Sequence, residues 1–107
     1  MGVLNTYTKA PSEKKRYRID FSRWLNQPSE RIDTSSMPTY TVEVLNSSTV
    51  TPDSLLVTVD FTVLDNQAFE YVVANGTANI YYRVIFLTTT TDEQIVESTV
   101  DFRIRDL

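Results

Sequence analysis

Hydrophobic and polar residues alternate with a period of two along most of this chain. The clearest run lies near the C-terminus, where Val96, Ser98, Val100, Phe102 and Ile104 alternate with Glu97, Thr99, Asp101, Arg103 and Arg105. Tyr17, Ile19 and Phe21 alternate in the same way with Arg16, Arg18 and Asp20, and Val57, Val59, Phe61 and Val63 with Thr58, Asp60 and Thr62. Such spacing puts one set of side chains on a core and the other in water. Ala78, Ile80, Tyr82, Val84 and Phe86 repeat the period, but the intervening Tyr81, Arg83, Ile85 and Leu87 are largely apolar as well. That strand is expected to be central in its sheet or to face a partner.

Turn-forming clusters separate the runs: Asn26-Gln27-Pro28-Ser29, Ser35-Ser36-Met37-Pro38, Asn46-Ser47-Ser48, Thr51-Pro52-Asp53, Asp65-Asn66-Gln67, Asn75-Gly76 and Thr91-Asp92-Glu93. Strands are therefore expected near 15–21, 30–35, 39–45, 54–64, 68–74, 78–88 and 94–105, which describes an all-β, antiparallel β-sandwich of about seven strands. Asn75-Gly76 reads as a tight hairpin turn, since both residues tolerate positive φ. Thr91-Asp92-Glu93 should join two long antiparallel strands. One short helical turn is expected over Ser22-Arg23-Trp24-Leu25, capped by Asp20 or Ser22 and stopped by Pro28, with Trp24 and Leu25 plugging an open end of the sandwich. Residues 1–14 carry no sustained period and read as an extended N-terminal arm, leaving 15–107 as a single sandwich domain.

Composition supports this reading. Of 107 residues, 15 are Thr, 12 Val, 6 Ile and 12 aromatic, the types that suit a pleated, half-buried surface, whereas alanine occurs only four times. The chain has neither cysteine nor histidine. That removes disulfide scaffolds, Ser-His-Asp and Cys-His catalysis, and thiolate or imidazole metal sites together. A net charge of −4, with Lys14-Lys15-Arg16 and Arg18 as the one basic run, argues against a nucleic-acid surface. No apolar segment approaches the roughly 18 residues of a membrane span, and the first residues lack the charged and apolar regions of a signal peptide. A soluble protein made and kept in a cytoplasm is expected. The Asn46-Ser47-Ser48 and Asn75-Gly76-Thr77 sequons are then chance matches.

Catalytic chemistry finds little support in the remaining side chains. Asp60 with Asp65 or Glu70 could form an acid–base pair, but no nucleophile or oxyanion donor accompanies them, so solvated carboxylates are expected. Ser12-Glu13-Lys14-Lys15 matches an S-x-x-K pair without its S-D-N and K-T-G companions. No D-x-D-x-D loop offers a calcium site, and Gly2 and Gly76 alone cannot build a phosphate loop. The expectation is a non-enzyme with no cofactor and no metal. Tyr40, Tyr71 and Tyr81 remain as a candidate sugar-stacking platform or protein interface, or else as the second face of a two-sheet core.

Lys9-Ala10-Pro11-Ser12-Glu13, followed by Tyr17-Arg18-Ile19-Asp20-Phe21 and Trp24-Leu25, resembles the opening of the bacteriophage fiber-tail adaptor family, whose members begin K-D-P-x-E and continue to W-L. Glu30-Arg31-Ile32 stands at the family's D-x-I position, and Asn75-Gly76-Thr77-Ala78 with Tyr82-Arg83-Val84 is similar to its G-x-x-G…Y-x-V tract. Thr89-Thr90-Thr91-Asp92-Glu93-Gln94 stands where members carry T-T-x-x-G-R, and Phe102-Arg103-Ile104-Arg105-Asp106 resembles their closing I-x-V-x-D strand. The resemblance implies an immunoglobulin-like sandwich in the virion, at the tail or neck, that presents fibers without catalysis. Its partners would be other tail or neck proteins and the fiber protein, with multiple copies per virion and edge strands or a tip for partner strands to join. Lys9, Pro11, Glu13 and Tyr17 of the opening motif, with Tyr40, Tyr71 and Tyr81, are the candidate partner-binding residues. A capsid decoration or head-fiber protein and a carbohydrate-binding module are the alternatives.

Overall fold

A computed structural model describes residues 3–25, 29–33, 35, 38–63 and 66–105. Seven strands are present among them: β1 (Val3–Lys9), β2 (Lys14–Asp20), β3 (Thr39–Val44), β4 (Leu55–Val63), β5 (Ala68–Asn75), β6 (Tyr81–Thr89) and β7 (Ile95–Ile104). They form two sheets, one ordered β1-β7-β6-β3 and the other β2-β5-β4. The expected all-β sandwich is what the chain builds.

The period of two predicts which side chains meet between the sheets. On β7, Ser98, Val100, Phe102 and Ile104 are buried, as are Tyr82, Val84 and Phe86 on β6 and Phe69, Tyr71 and Val73 on β5. Rings cross the gap: Phe86 lies 5.3 Å from Phe69 and 4.7 Å from Tyr71, and Tyr71 meets Phe102 edge-on at 6.4 Å. Aromatic pairs at these separations add about 0.5–1.5 kcal/mol each beyond the area they bury. β6, apolar on both faces in sequence, is indeed central, flanked by β7 and β3.

Several local expectations change. The 1–14 segment, read as an arm, contributes β1, and β1 runs parallel to β7, so the sandwich is not wholly antiparallel. β1 is anchored by its inward side chains: Tyr7 packs 5.7 Å from Phe102 and Lys9 is fully buried. Among the described residues, the strand expected over 30–35 shows a single bridge, Ile32 opposite Thr90. Further on, Thr39 lies opposite Leu87, and Pro38 before it offers no N–H for pairing. In β4 the alternation is broken by a register shift between Val59 and Phe61.

Asn75-Gly76 is not a hairpin turn. β5 and β6 belong to different sheets, and the turn carries the chain across the sandwich. Positive φ is used as expected at Asn75 and Gly76, and also at Asn79. The crossing is held by Gly76 N–H donating to the Ser54 carbonyl at 2.9 Å and Asn79 N–H to the Ile104 carbonyl at 2.6 Å. Thr91-Asp92-Glu93 does join the antiparallel pair β6 and β7.

After β2, the Asp20 carboxylate accepts the Ser22 N–H at 2.8 Å and Leu25 N–H reaches the Phe21 carbonyl at 3.2 Å, closing the expected turn. Pro28, its expected stop, lies outside the described residues. The one 3₁₀ helix among the described residues is at Pro52–Ser54. Phe21 and Leu25 close that end of the sandwich, whereas Trp24 remains 38% exposed, lying 5.5 Å from the Phe21 ring.

Phe21→Ala should therefore cost about 3–5 kcal/mol in a urea unfolding curve, and Trp24→Ala no more than about 1.5 kcal/mol; equal losses would mean that Trp24 is part of the core. A methyl group at Gly76 would stand 2.8 Å from Ile104 Cγ1 in a residue with φ +98°. Gly76→Ala should lower stability by about 1–3 kcal/mol, read as a fall in the urea midpoint at unchanged slope.

Candidate functional site

The opening motif forms the corner that carries the chain from β1 in one sheet to β2 in the other. Lys9 points inward, and its Nζ donates to the Ala10 carbonyl at 2.7 Å and to the Asn75 carbonyl at 2.5 Å, so it ties the corner to the β5–β6 crossing. Burial lowers the Lys9 pKa, and the nearby Glu13 opposes that shift. Ala10 N–H donates to Glu13 Oε1 at 2.8 Å while Glu13 N–H donates back to the Ala10 carbonyl at 3.1 Å. The first of these bonds leads the causes that hold the Glu13 carboxyl below its ordinary range. Pro11 sits within this turn. The motif thus builds a rigid corner, with Lys9 buried and Pro11 and Glu13 partly exposed.

The three tyrosines proposed as a platform do not share a surface. Tyr71 is buried between the sheets, Tyr40 lies on the inward side of β3 opposite Phe86, and Tyr81 lies on the outer face of β6 opposite Arg103. Arg103 places its guanidinium carbon 5.5 Å from the Tyr81 ring centre, and a hydrogen bond from Arg105 lowers the Tyr81 pKa. Tyr17 stacks on Tyr71 at 5.6 Å and lies 4.5 Å from Tyr7, so it belongs to the core margin rather than to a free surface.

The acidic candidates are occupied by arginines. On the outer face of β2 and its neighbours, Arg16 bonds Asp60 and reaches Glu70 at 3.4 Å, and Arg18 bonds Glu70 at 2.9 Å. This ladder explains the carboxylates as partners of the basic strand. Asp65 lies outside the described residues. Among the described residues no group of three or more carboxylates gathers as a metal site.

Two surface features stand out beyond the sequence candidates. On the outer face of β6 and β7, Leu87 and Ile95 are 44% and 69% exposed; Ile85 precedes Leu87 on that face, Thr39 and the exposed Glu97 stand on either side of Leu87, and Thr89 lies opposite Ile95. The doubly apolar pattern of β6 marked Ile85 and Leu87; Ile95, on the polar side of an otherwise regular alternation, was the overlooked signal. The second feature is a groove of 290 Å³ between β3 and β4, lined by Tyr40, Val42, Pro52, Asp53, Leu55, Leu56, Val57 and Thr58. On the opposite margin Tyr7 and Tyr17 meet at 4.5 Å, beside a smaller pocket of 210 Å³ lined by Asn5, Tyr7, Arg18, Asp20 and Trp24 among others.

Burial, helped by the neighbouring Tyr7 and Glu13, pushes the Tyr17 phenol up from 10.0 to about 12, and burial raises Tyr71 further. Above pH 10 the unfolded chain loses these protons first, so their stabilisation is complete below pH 10 and is lost as pH rises toward 12 and beyond. The urea midpoint should fall over that window as absorbance at about 295 nm reports tyrosinate, and the fall should shrink in Tyr17→Phe and Tyr71→Phe. A flat midpoint across the window would place both rings in solvent.

Compared with curated protein sequences, the chain finds no match. A family model does match, over residues 9–103, a span that runs from the Lys9 corner to the end of β7. The chain belongs to the family described as podophage GP4 fiber-tail adaptor protein gp77.

Proposed function

We propose that this protein joins the tail or neck of a phage particle to its fibers through protein–protein contact alone, without catalysing a reaction. Membership of an adaptor family supports a structural role in the tail. The observation that ties the role to this chain is the Leu87–Ile95 patch, an apolar area on a rigid two-stranded surface and away from the core. Scattered exposed apolar residues are ordinary, but here Ile85 and Leu87 are successive outward residues of β6 and Ile95 is the diagonal neighbour of Leu87, with Glu97 beside them as a polar edge, as a surface awaiting cover would be. Repeated around a symmetric tail, modest contacts of this kind add through multivalency. Assembly in the reducing cytoplasm of a bacterial host fits a chain without cysteine.

The immunoglobulin-like reading draws support from strand order. β7-β6-β3 and β2-β5-β4 correspond to the GFC and BED strands of that sandwich, with β1 added beside β7.

Purified virions should contain the chain in many copies, with cryo-EM density for a small sandwich between tail and fiber. Particles lacking the gene product should lack fibers. The double variant Leu87→Glu/Ile95→Glu should keep its stability to within about 1 kcal/mol yet lose its place in the particle. Density on the capsid surface, or fibers retained without the protein, would refute the proposal.

A further inference from the structure

We infer that the groove between β3 and β4 receives an extended strand of a partner protein, which adds to β3 at the edge of the four-stranded sheet. The strand would carry apolar side chains at alternate positions and a cationic residue beside them. This rests on the adaptor reading and names the chemistry of one of its contacts.

The backbone of β3 supplies the first argument. Leu45 N–H donates to the Tyr81 carbonyl at 2.8 Å. That bond sets the phase of the antiparallel ladder, so Thr39, Thr41 and Glu43 exchange bonds with β6 while Tyr40, Val42 and Val44 turn their N–H and C=O groups toward the open edge. An outward row of donors and acceptors on a regular strand is a template for a further strand.

Comparison of the four sheet edges gives the second. β1 and β4 both carry register shifts, between Val3 and Asn5 and between Val59 and Phe61. β2 presents Lys14, Arg16, Arg18 and Asp20 along its outer face, the charged guard typical of protected edges. β3 pairs with β6 without a shift, and no basic residue stands on it.

Shape and charge give the third. An added strand would lie over the groove with every second side chain pointing inward, against Tyr40, Val42, Leu55 and Val57. Tyr40 sits on the inward side of β3 and is still 42% exposed, so the second sheet leaves this strip uncovered. The rim carries Asp53, and Glu43 lies on the outer face of β3; no lysine or arginine lines the groove. Asp53 has no ion partner among the described residues. A second copy of this chain would bring its own Glu43 and Asp53 to the contact and a net charge of −4, so the occupant is a different protein with basic flanks.

The test is an NMR titration of the full chain with a synthetic heptapeptide of alternating valine and threonine ended by lysines, beside a glutamate-ended counterpart. Saturable shifts should centre on the amides of Tyr40 and Val42, and the glutamate-ended peptide should bind at least tenfold more weakly. Val42→Pro removes an outward N–H and leaves the β6 bonds of Thr41 and Glu43 in place; it should weaken binding at least tenfold in a folded chain. Tyr40→Lys, a change at a half-exposed position, should do the same by charging the groove. Shifts centred on β1 or β2, no saturation, or equal affinity in both variants would overturn the inference. Absence of the protein from virions would sink the adaptor reading and leave the titration intact. Full incorporation and fiber attachment of Val42→Pro and Tyr40→Lys chains would sink strand addition and leave the adaptor reading standing.

Discussion

Between the two sheets, Phe86 touches both Phe69 and Tyr71, while Tyr71 reaches Phe102 and Phe69 reaches Phe21 at 5.6 Å. These rings come from β5, β6, β7 and the turn after β2, so one aromatic contact network sets the spacing of the sheets and closes one end. The remaining features follow from its position. It runs through the β5, β6 and β7 centre of the sandwich, and each margin is left to be closed by whatever the flanking strands bring. On one margin β1 and β2 bring Tyr7 and Tyr17, which meet at 4.5 Å beside a smaller pocket. On the other, β3 and β4 bring Tyr40, Val42 and Val57 and leave a groove.

The ends are held differently. Near the β1–β2 corner, polar groups do the work: Lys9 bridges two carbonyls and the Tyr82 hydroxyl accepts the Thr77 N–H at 2.9 Å while lying 2.6 Å from Ser54 Oγ. At the far end, the buried Glu30 carboxylate accepts a hydrogen bond from the Thr90 hydroxyl, which pins the 30–33 segment to the β6–β7 turn. Buried polar groups satisfied in this way give a small sandwich definite ends without glycine-rich loops or disulfides. For an adaptor, a scaffold that does not yield at its ends keeps its outer face and its open edge at a constant separation.

Much of the inward-facing set was legible in the chain. Val100, Phe102 and Ile104, and Tyr82, Val84 and Phe86, declare their side of the sheet through period two alone. Tyr71 was harder to read, since an isolated tyrosine can serve a core or a surface; burial between the sheets decided it. Lys9 was harder still. A lysine in a polar segment reads as solvated, and it is the carbonyls of adjacent Ala10 and of distant Asn75, converging on its Nζ, that make its burial tolerable. The opening motif therefore builds a corner of the fold, with Pro11 and Glu13 left partly exposed on it.

By itself the sequence determined the β-rich character of the chain, the sidedness of β2, β6 and β7 and the positive φ at Asn75-Gly76, because these depend on side-chain type and near-neighbour sterics. Only the tertiary structure decided which strands pair. β1 could join β7 in parallel, and Asn75-Gly76 could cross between sheets instead of closing a hairpin, because backbone hydrogen bonds are the same for every sequence and carry no address. The β3 edge is of the same kind: among the described residues no strand lies on its far side, and no local pattern of residues records that.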